Sequence, residues 1–260
     1  MDLQLDDKTA LVTGSTAGIG FAIAVGLARE GATVFLNGRS RQRVEDARER
    51  LLAEVPGADI ELAPGDLATS DGAQAVVDTA PDVDIVVHNA AIYEPTPFAE
   101  IPDEEWSRFF DTNVLSGVRL GRHYLTKMLE RDSGRIIFIG SDSSLTAQVA
   151  QLHYSVSKAA ALALSRGLAE MTSGSRVTVN TVLPSVTITE GFHDIARDAG
   201  MTVPEFEAMV FTDIVPSSIL QRGALPEEVA HVVVFLASPL AALTNGAAVR
   251  ADGGTLRSFG

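Results

Sequence analysis

The sequence predicts an α/β fold, with a doubly wound parallel sheet of about seven strands and helices on both faces. Short apolar runs alternate with helical segments from the start of the chain, which is typical of strand–helix–strand units. The runs are continuously apolar, which indicates strands buried on both faces, as in parallel sheets. The chain has 260 residues without an internal repeat or linker, a length that suits one such domain. We therefore predict a single domain over residues 1–260.

The elements follow one another along the chain. The predicted strands are 9–12, 33–36, 60–62, 83–87, 135–139, 177–180 and 247–249. The predicted helices are 19–29, 41–54, 72–79, 103–131, 154–171 and 227–236. Right-handed crossovers between parallel strands bring the carboxyl ends of the strands to one edge of the sheet, where ligands bind in folds of this class. Functional residues are therefore expected directly after the strands.

Composition narrows the classes of function. The chain has no cysteine, which excludes disulfides, thiolate catalysis and cysteine-ligated metals. Its formal net charge is −14, which argues against nucleic acid and anionic membrane surfaces as partners. The first residues form no apolar leader, and Ser238-Pro239 interrupts the apolar stretch 231–249. The five histidines show no metal-ligand spacing. We expect a cytoplasmic protein with no metal site.

The turn after the first strand is rich in glycine and leads directly into a helix. It reads Thr13-Gly14-Ser15-Thr16-Ala17-Gly18-Ile19-Gly20. Glycines let the backbone approach a pyrophosphate, and the N-terminus of the helix supplies free N–H groups and a partial positive charge. The spacing is G-x-x-x-G-x-G rather than G-x-G-x-x-G. The pattern predicts a dinucleotide site, the alternative being a glycine-rich turn without a ligand.

The residues after the second strand bear on the choice of dinucleotide. A carboxylate there would bind the ribose of NAD(H), whereas an arginine would accommodate the 2′-phosphate of NADP(H). The chain reads Asn37-Gly38-Arg39-Ser40, and Arg39 with Ser40 would hold a phosphate by charge-assisted hydrogen bonds. The alternative is a solvated, basic start of a helix. We expect NADP(H) to be preferred, with NAD(H) possible because the glycine loop carries no basic residue.

Tyr154 and Lys158 are four residues apart at the start of a predicted helix, so they share one face. A free tyrosine has a pKa of about 10, and an ammonium group ~5 Å away would lower it by roughly two units. Tyr154 would then exchange a proton near neutral pH. Ser141 follows strand 135–139 and lies thirteen residues before Tyr154. Asn113 lies within predicted helix 103–131, where an asparagine is unfavourable unless it has a function.

These motifs together resemble the short-chain dehydrogenase/reductase family, over nearly the whole chain from Thr13 to Gly254. The resemblance implies a Rossmann fold and an NAD(P)(H)-dependent oxidoreductase that interconverts a carbonyl and a secondary alcohol by hydride transfer. It implies that the catalytic residues are Asn113, Ser141, Tyr154 and Lys158. In that family the serine binds the substrate oxygen, the tyrosine is the general acid and base, and the lysine tunes the tyrosine and binds ribose. The asparagine holds a water molecule.

The resemblance also implies a set of cofactor contacts. They are Gly14, Ser15, Thr16, Gly18, Ile19, Gly20, Arg39, Ser40, Asp66, Leu67, Asn89, Ala90, Ala91, Tyr154, Lys158, Pro184, Val186 and Thr189. Asp66 and Leu67 would contact the adenine, although an aspartate there would equally cap the helix that follows. The chain departs from the family pattern at His88 and Ala91, in a segment that usually reads N-N-A-G. It also has Ser185 where a glycine is usual beside the nicotinamide.

The long segment 189–219 is predicted to be a lid of short helices that shields hydride transfer from water, with ordinary helix packing as the alternative. Its apolar content indicates a substrate with hydrocarbon character. Candidate substrate residues are Ile92, Ser143, Gln148, Gln151, His153 and Ser185. The charged residues of segment 189–219 are mostly acidic, which disfavours an acidic carrier protein as substrate.

Two alternatives remain at this stage, a 3-oxoacyl thioester reductase and a catalytically idle dinucleotide-binding regulator. A hydrolase built from Ser141, Asp142 and His153 is disfavoured, because the serine lacks the G-x-S-x-G turn. Helix 154–171 is apolar nearly all round, which indicates burial on more than one side. Relatives in the resembled family assemble through such helices, and we expect a homotetramer.

Overall fold

The sheet of the computed structural model, which describes residues 1–258, has seven parallel strands. They are β1 (Thr9–Val12), β2 (Thr33–Leu36), β3 (Ile60–Leu62), β4 (Ile85–His88), β5 (Gly134–Ile139), β6 (Val177–Pro184) and β7 (Ala248–Ala251). Their spatial order is β3-β2-β1-β4-β5-β6-β7, so the winding reverses between β1 and β4. Such a reversal opens a crevice at the carboxyl ends of the strands. The predicted doubly wound α/β fold is confirmed, while positions 259 and 260 of the predicted domain lie outside the described residues.

The helices cover both faces of this sheet. They are α1 (Gly18–Arg29), α2 (Arg41–Glu54), α3 (Ser70–Thr79), α4 (Asp103–Phe110), α5 (Ser116–Glu130), α6 (Leu152–Glu170), α7 (Glu190–Asp198), α8 (Val203–Met209) and α9 (Pro226–Ala237). The predicted helix 103–131 is divided, because a π-helical turn, Asp111–Leu115, separates α4 from α5. Strand β6 is longer than predicted, since its second half pairs with both β5 and β7.

Alternate residues of β1 separate the two cores. Ala10 and Val12 pack in the cluster beneath α1, α2 and α9, whereas Leu11 packs in the cluster beneath α3 and α5. Successive side chains of a strand point to opposite faces, so a strand covered on both sides needs an unbroken apolar run. The apolar strands of the sequence thus follow directly from the two helical layers.

The segment 189–219 contains α7, α8 and a second π-helical turn, Val210–Ile214. It has a small hydrophobic cluster of its own, which includes Phe192, Phe206 and Phe211. This cluster is distinct from the two that pack against the sheet. The segment therefore carries its own packing while it covers the carboxyl edge of the sheet. Across residues 1–258, every helix is too short or too polar to cross a membrane.

Candidate active site

A cleft of about 640 Å³ opens at the carboxyl edge of the sheet. Its wall is formed by the glycine loop, the ends of β4, β5 and β6, the start of α6 and the inner face of the lid segment. The predicted cofactor residues in this wall are Gly18, Ile19, Gly20, Asn89, Ala91, Tyr154, Lys158, Pro184, Val186 and Thr189. The remaining predicted cofactor residues, Gly14, Ser15, Thr16, Arg39, Ser40, Asp66, Leu67 and Ala90, lie outside it.

The glycine loop leaves no room for side chains at its closest approaches. Gly14 has a φ of +59° and Gly18 a φ of +56°, values that L side chains rarely adopt. A Cβ atom on Gly20 would lie 2.4 Å from Asn89 Nδ2 and 2.5 Å from the Gly14 carbonyl oxygen. The same amide of Asn89 donates to the carbonyls of Thr13 at 3.0 Å and Gly14 at 3.1 Å. Asn89 therefore holds the glycine loop in place by these hydrogen bonds. The surface that the loop contributes to the cleft consists of backbone atoms.

A carboxylate occupies the anion position at the start of α1. The Gly18 N–H donates to Glu190 Oε2 at 2.9 Å, at the helix terminus where a phosphate would bind. Arg50 lies nearby, with a nitrogen 3.9 Å from Glu190 Oε1. Glu190 acts here as a stand-in for an anion, so the loop fits the pyrophosphate of a dinucleotide. The sequence indicated only an acidic lid and gave no sign of this contact.

Asn37 is a residue that sequence reasoning missed, and it organises the adenosine end. It is buried, its Oδ1 accepts from the Gly14 N–H at 3.2 Å, and its Nδ2 donates to the Ala63 carbonyl at 2.9 Å. The Ser15 hydroxyl accepts from the Asn37 N–H at 2.9 Å. Ser15 is fully buried, so its side chain points into the fold rather than into the cleft. The Ser15 side chain thus has a structural role, and the contact of Ser15 with the cofactor stays a prediction.

Two further residues were predicted to contact the adenine. Leu67 is buried in the cluster beneath α3 and α5, so it packs inside the fold. Asp66 accepts a hydrogen bond from the Ala68 N–H at 3.1 Å. The residue that caps α3 is Thr69, whose hydroxyl accepts from Gly72 N–H at 3.0 Å. The alternative that Asp66 caps this helix is therefore wrong.

The four predicted catalytic residues converge from three separate segments. Ser141 follows β5, Tyr154 and Lys158 share one face of α6, and all three line the cleft. Lys158 Nζ donates to the Ile139 carbonyl at 2.8 Å and lies 5.7 Å from the Tyr154 ring centroid. The fourth residue, Asn113, lies directly behind them in the π-helical turn.

The π-helical turn explains the asparagine within a helix. Asn113 Oδ1 accepts from the Ile92 N–H at 2.8 Å, and Nδ2 donates to the Ile92 carbonyl at 3.1 Å and to Ser157 Oγ at 2.9 Å. A π turn commonly marks a functional position in an otherwise α-helical segment. Asn113 thus connects the segment that follows β4 to α6. Ile92 is held through its backbone and lies outside the cleft wall, so the structure does not bring it to the substrate.

The electrostatics of Tyr154 differ from the sequence-based expectation. Burial raises the pKa of Tyr154 above its ordinary value, a hydrogen bond with Ser141 opposes the rise, and the charge of Asp142 adds to it. Burial lowers the pKa of Lys158 to about 8. The expected lowering of the Tyr154 pKa is therefore absent from this structure, and Tyr154 is protonated at neutral pH.

Asp142 is a second group that the sequence did not assign to catalysis or binding. This carboxylate is buried in the cleft wall beside Ser141. Its Oδ1 accepts from Ser141 Oγ at 2.9 Å, and its Oδ2 accepts from Ser185 Oγ at 2.7 Å. Ser185, which stands where the resembled family usually has a glycine, is therefore a hydrogen-bond partner of this buried aspartate.

The predicted substrate residues divide into two groups. Ser143, Gln148, Gln151 and Ser185 line the cleft, as does Tyr93, which the sequence did not indicate. His153 is 1% exposed, and its ring centroid lies 3.9 Å from that of Phe109 on α4. Successive residues of an α-helix point about 100° apart, so His153 faces α4 when Tyr154 faces the cleft. The expectation that His153 borders the substrate is corrected accordingly.

Comparison with known proteins identifies the family. A family model described as short chain dehydrogenase matches residues 8–200. The "Uncharacterized oxidoreductase YvaG" of Bacillus subtilis is 47% identical over 262 residues, which cover 99% of each chain. The 3-oxoacyl-acyl-carrier-protein reductase FabG of Aquifex aeolicus is 31% identical, over 98% of this chain and 99% of that protein.

Among solved structures, L-sorbose reductase from Gluconobacter frateurii, complexed with NADPH and L-sorbose, superposes with a TM-score of 0.92. It is 31% identical, and the match covers 100% of both chains. The sequence and the fold match those of this family over nearly the whole chain, and the glycine loop fits a pyrophosphate. The chain therefore belongs to the short-chain dehydrogenase/reductase family and is an NAD(P)-dependent oxidoreductase.

Proposed function

We propose that this chain reduces the carbonyl group of a small neutral molecule to a secondary alcohol, reversibly, with NADP(H) as the preferred cofactor. The observation that carries the proposal is the convergence of Ser141, Tyr154 and Lys158 on one cleft whose other end is the glycine loop. A carbonyl bound beside Tyr154 would lie between the catalytic side chains and a nicotinamide. The convergence of all these groups argues against a catalytically idle regulator.

Each side chain has a role that its position supports. A bound reduced nicotinamide would supply the hydride that adds to the carbonyl carbon. Tyr154, protonated in this environment, donates its hydroxyl proton to the carbonyl oxygen, which gives the alcohol. Lys158 is buried beside the tyrosine and restores charge balance as the phenolate forms. Ser141, whose hydroxyl is oriented by Asp142 and interacts with Tyr154, helps to align the Tyr154 hydroxyl with the carbonyl oxygen, and Asn113 fixes the start of α6 through Ser157.

The cleft combines two kinds of surface, which bears on the substrate. Gln148, Gln151 and Ser143 form a polar wall, whereas Phe192 and Phe206 on the lid segment form an apolar one. A short polar molecule with some hydrocarbon surface fits both walls. The structural relative bound to NADPH and L-sorbose is a reductase of a neutral, polar ketone, which supports the polar part of this description. A 3-oxoacyl thioester is the second candidate, favoured by similarity to FabG and disfavoured by the acidic lid.

The NADP(H) preference rests on the residues after β2. Arg39 is exposed there and, within residues 1–258, forms no ion pair or hydrogen bond with a side chain. The neighbouring Gly38 approaches the glycine loop so closely that a Cβ atom would lie 2.6 Å from Thr16 Cγ2. Arg39, the next residue, therefore starts beside the glycine loop, where its side chain would meet a 2′-phosphate.

Assembly and location are part of the same proposal. The outer face of α6 exposes small or apolar residues, including Val156, Ala159 and Ala163, and such a face favours association of identical chains. Gly117 and Gly121 instead pack within the subunit, where added Cβ atoms would meet Phe138 and Leu168. We propose a homotetramer in the cytoplasm. Light scattering that shows a monomer at micromolar concentration would contradict the tetramer.

The test of the reaction is Tyr154→Phe. We expect kcat for ketone reduction to fall about 10²–10⁴-fold, since proton donation is lost, while NADPH still binds. Turnover is followed by NADPH absorbance over a panel of ketones and hydroxyketones, with NADH measured in parallel. Binding is followed by NADPH fluorescence. Exposed Tyr93→Phe is the matched control, with a retained phenyl ring in the same cleft. Equal turnover by Tyr154→Phe and wild type would refute the mechanism.

A further inference from the structure

The most unusual group in the cleft is the carboxylate of Asp142. It is 4% exposed and lies in the wall of the cleft. Its Oδ1 accepts from the Ser141 hydroxyl at 2.9 Å and from the N–H and the hydroxyl of Ser143 at 2.7 and 3.4 Å, and its Oδ2 accepts from the Ser185 hydroxyl at 2.7 Å. Across residues 1–258 no lysine, arginine or histidine forms an ion pair with it. The negative charge is thus balanced by neutral donors alone.

A buried carboxylate without a cation is costly to maintain, because burial removes its hydration. Folding alone would be served better by a neutral side chain at this position. The carboxylate instead contacts two groups that matter to the reaction. It accepts a hydrogen bond from the Ser141 hydroxyl, whose oxygen accepts from the Ser143 N–H at 3.1 Å, so the direction of that hydroxyl is fixed. Through Ser185, the residue directly after β6, it also reaches the end of that strand.

We propose that Asp142 is a positioning and specificity-determining residue that orients the Ser141 hydroxyl and excludes substrates with an anionic group beside the reacting carbonyl. This inference rests on the proposed function. A carboxylate oxygen offers about two acceptor positions, and Oδ2 of Asp142 accepts only from the Ser185 hydroxyl, which leaves one position on Oδ2 for a substrate hydroxyl. A substrate carboxylate at the same place would face like charge in a poorly hydrated cleft. The site therefore selects neutral hydroxyketones over oxo acids.

The same charge acts on the proton donor. The groups that face Tyr154 are Asp142, Tyr93 and Lys158, and the charge of Asp142 raises the pKa of both tyrosines. Removal of that charge makes the phenolate of Tyr154 easier to form. Oxidation of an alcohol, which needs the phenolate as base, then becomes efficient at lower pH. A charge that does not face Tyr154 would not move this pH profile.

The test uses three ketones of nearly equal size, hydroxyacetone, 2-butanone and pyruvate, which differ only in the group beside the carbonyl. Wild type is expected to prefer hydroxyacetone to pyruvate by at least tenfold in kcat/KM. In Asp142→Asn, which keeps the shape, we expect this ratio to fall at least tenfold. The pH profile of alcohol oxidation should move to lower pH. Ser185→Gly, which removes one partner and keeps the charge, should retain the discrimination against pyruvate, and so should Asp213→Asn, which removes an exposed lid charge.

Two results would overturn the inference. One is an equal change for all three ketones in Asp142→Asn, and the other is a wild-type enzyme that accepts pyruvate as well as hydroxyacetone. The wild-type comparison, together with Asp142→Ser, decides the matter if Asp142→Asn does not fold. Absence of NADPH-dependent turnover with every ketone in the panel would refute the proposed function instead. In that case, calorimetric binding of hydroxyacetone and pyruvate to the NADP⁺ complex still tests Asp142.

Discussion

The two ends of the cleft differ in the groups that form their surface. At the glycine loop the binding surface is backbone, shaped by the positive φ angles of Gly14 and Gly18 and by the contact of Gly20 with Asn89. At the substrate end the surface consists of side chains from several separate segments, and its central group is a buried carboxylate, Asp142. The first end depends on steric limits, whereas the second depends on burial and charge.

This difference predicts where each end is sensitive. A backbone site tolerates changes of pH, because amide groups do not titrate in the physiological range. A site made of buried ionisable side chains responds to pH, since burial shifts their pKa values. Lys158, whose pKa is lowered to about 8, and His88, whose pKa is lowered to about 3, both lie at or behind the substrate end.

The largest effect expected from the difference between the two ends is a loss of folding stability in acid, caused by the protonation of His88. Its Nε2 lies 2.8 Å from Ser116 Oγ, and because the Ser116 hydroxyl donates to the Thr112 carbonyl, the histidine is the donor. Burial, followed by the charge of Lys158, lowers the pKa of His88 to about 3. The unfolded chain binds this proton near pH 6.5. Stability is therefore lost as the pH falls from about 6.5 toward 3, by about 2–3 kcal/mol at pH 4.5.

His88→Asn should remove this part of the pH dependence, because an amide does not titrate. The measurement is the free energy of unfolding in urea at pH 7 and pH 4.5, compared between wild type and variant. His153, whose pKa is also lowered by burial, is present in both proteins and cancels in the comparison. Exposed His231→Asn is the control and should leave the wild-type dependence intact. An unchanged pH dependence in His88→Asn would show that His88 is not buried as the neutral form.

The same contrast explains what the sequence could predict. The glycine loop and the Tyr154–Lys158 pair are local patterns, so their backbone geometry and shared helix face follow from neighbouring residues. The Asp142–Ser185 contact joins positions 43 residues apart, and the Glu190–Gly18 contact joins positions 172 residues apart. Neither has a periodic or spacing signal. Burial of His153 was missed because one helical step separates it from Tyr154, and the position of α4 decides which face is covered.

The next effect concerns cofactor choice at the backbone end, where one side chain is expected to matter. Arg39→Ala should raise the KM for NADPH about tenfold and leave that for NADH nearly unchanged, since a charge-assisted hydrogen bond contributes roughly 1.5–3 kcal/mol. Arg43→Ala, another exposed arginine at the start of α2, is the matched control. Steady-state kinetics with both cofactors at constant ionic strength measures the change. Equal losses for NADPH and NADH would place Arg39 away from the 2′-phosphate.

The smallest effect tests whether the backbone end is free of side-chain control. Glu190 Oε2 accepts from the Gly18 N–H in the position of the pyrophosphate, so a dinucleotide must displace a carboxylate that repels it. Glu190→Gln removes this repulsion, and we expect the Kd for NADPH to fall about threefold, or roughly 0.6 kcal/mol, as for an exposed charge contact. Titration of NADPH fluorescence measures it. Asp198→Asn removes the same charge from the other end of α7 and should have no effect. Weaker NADPH binding in Glu190→Gln would mean that the carboxylate supports the loop, and the separation between a backbone-built end and a side-chain-built end would then fail at its first contact.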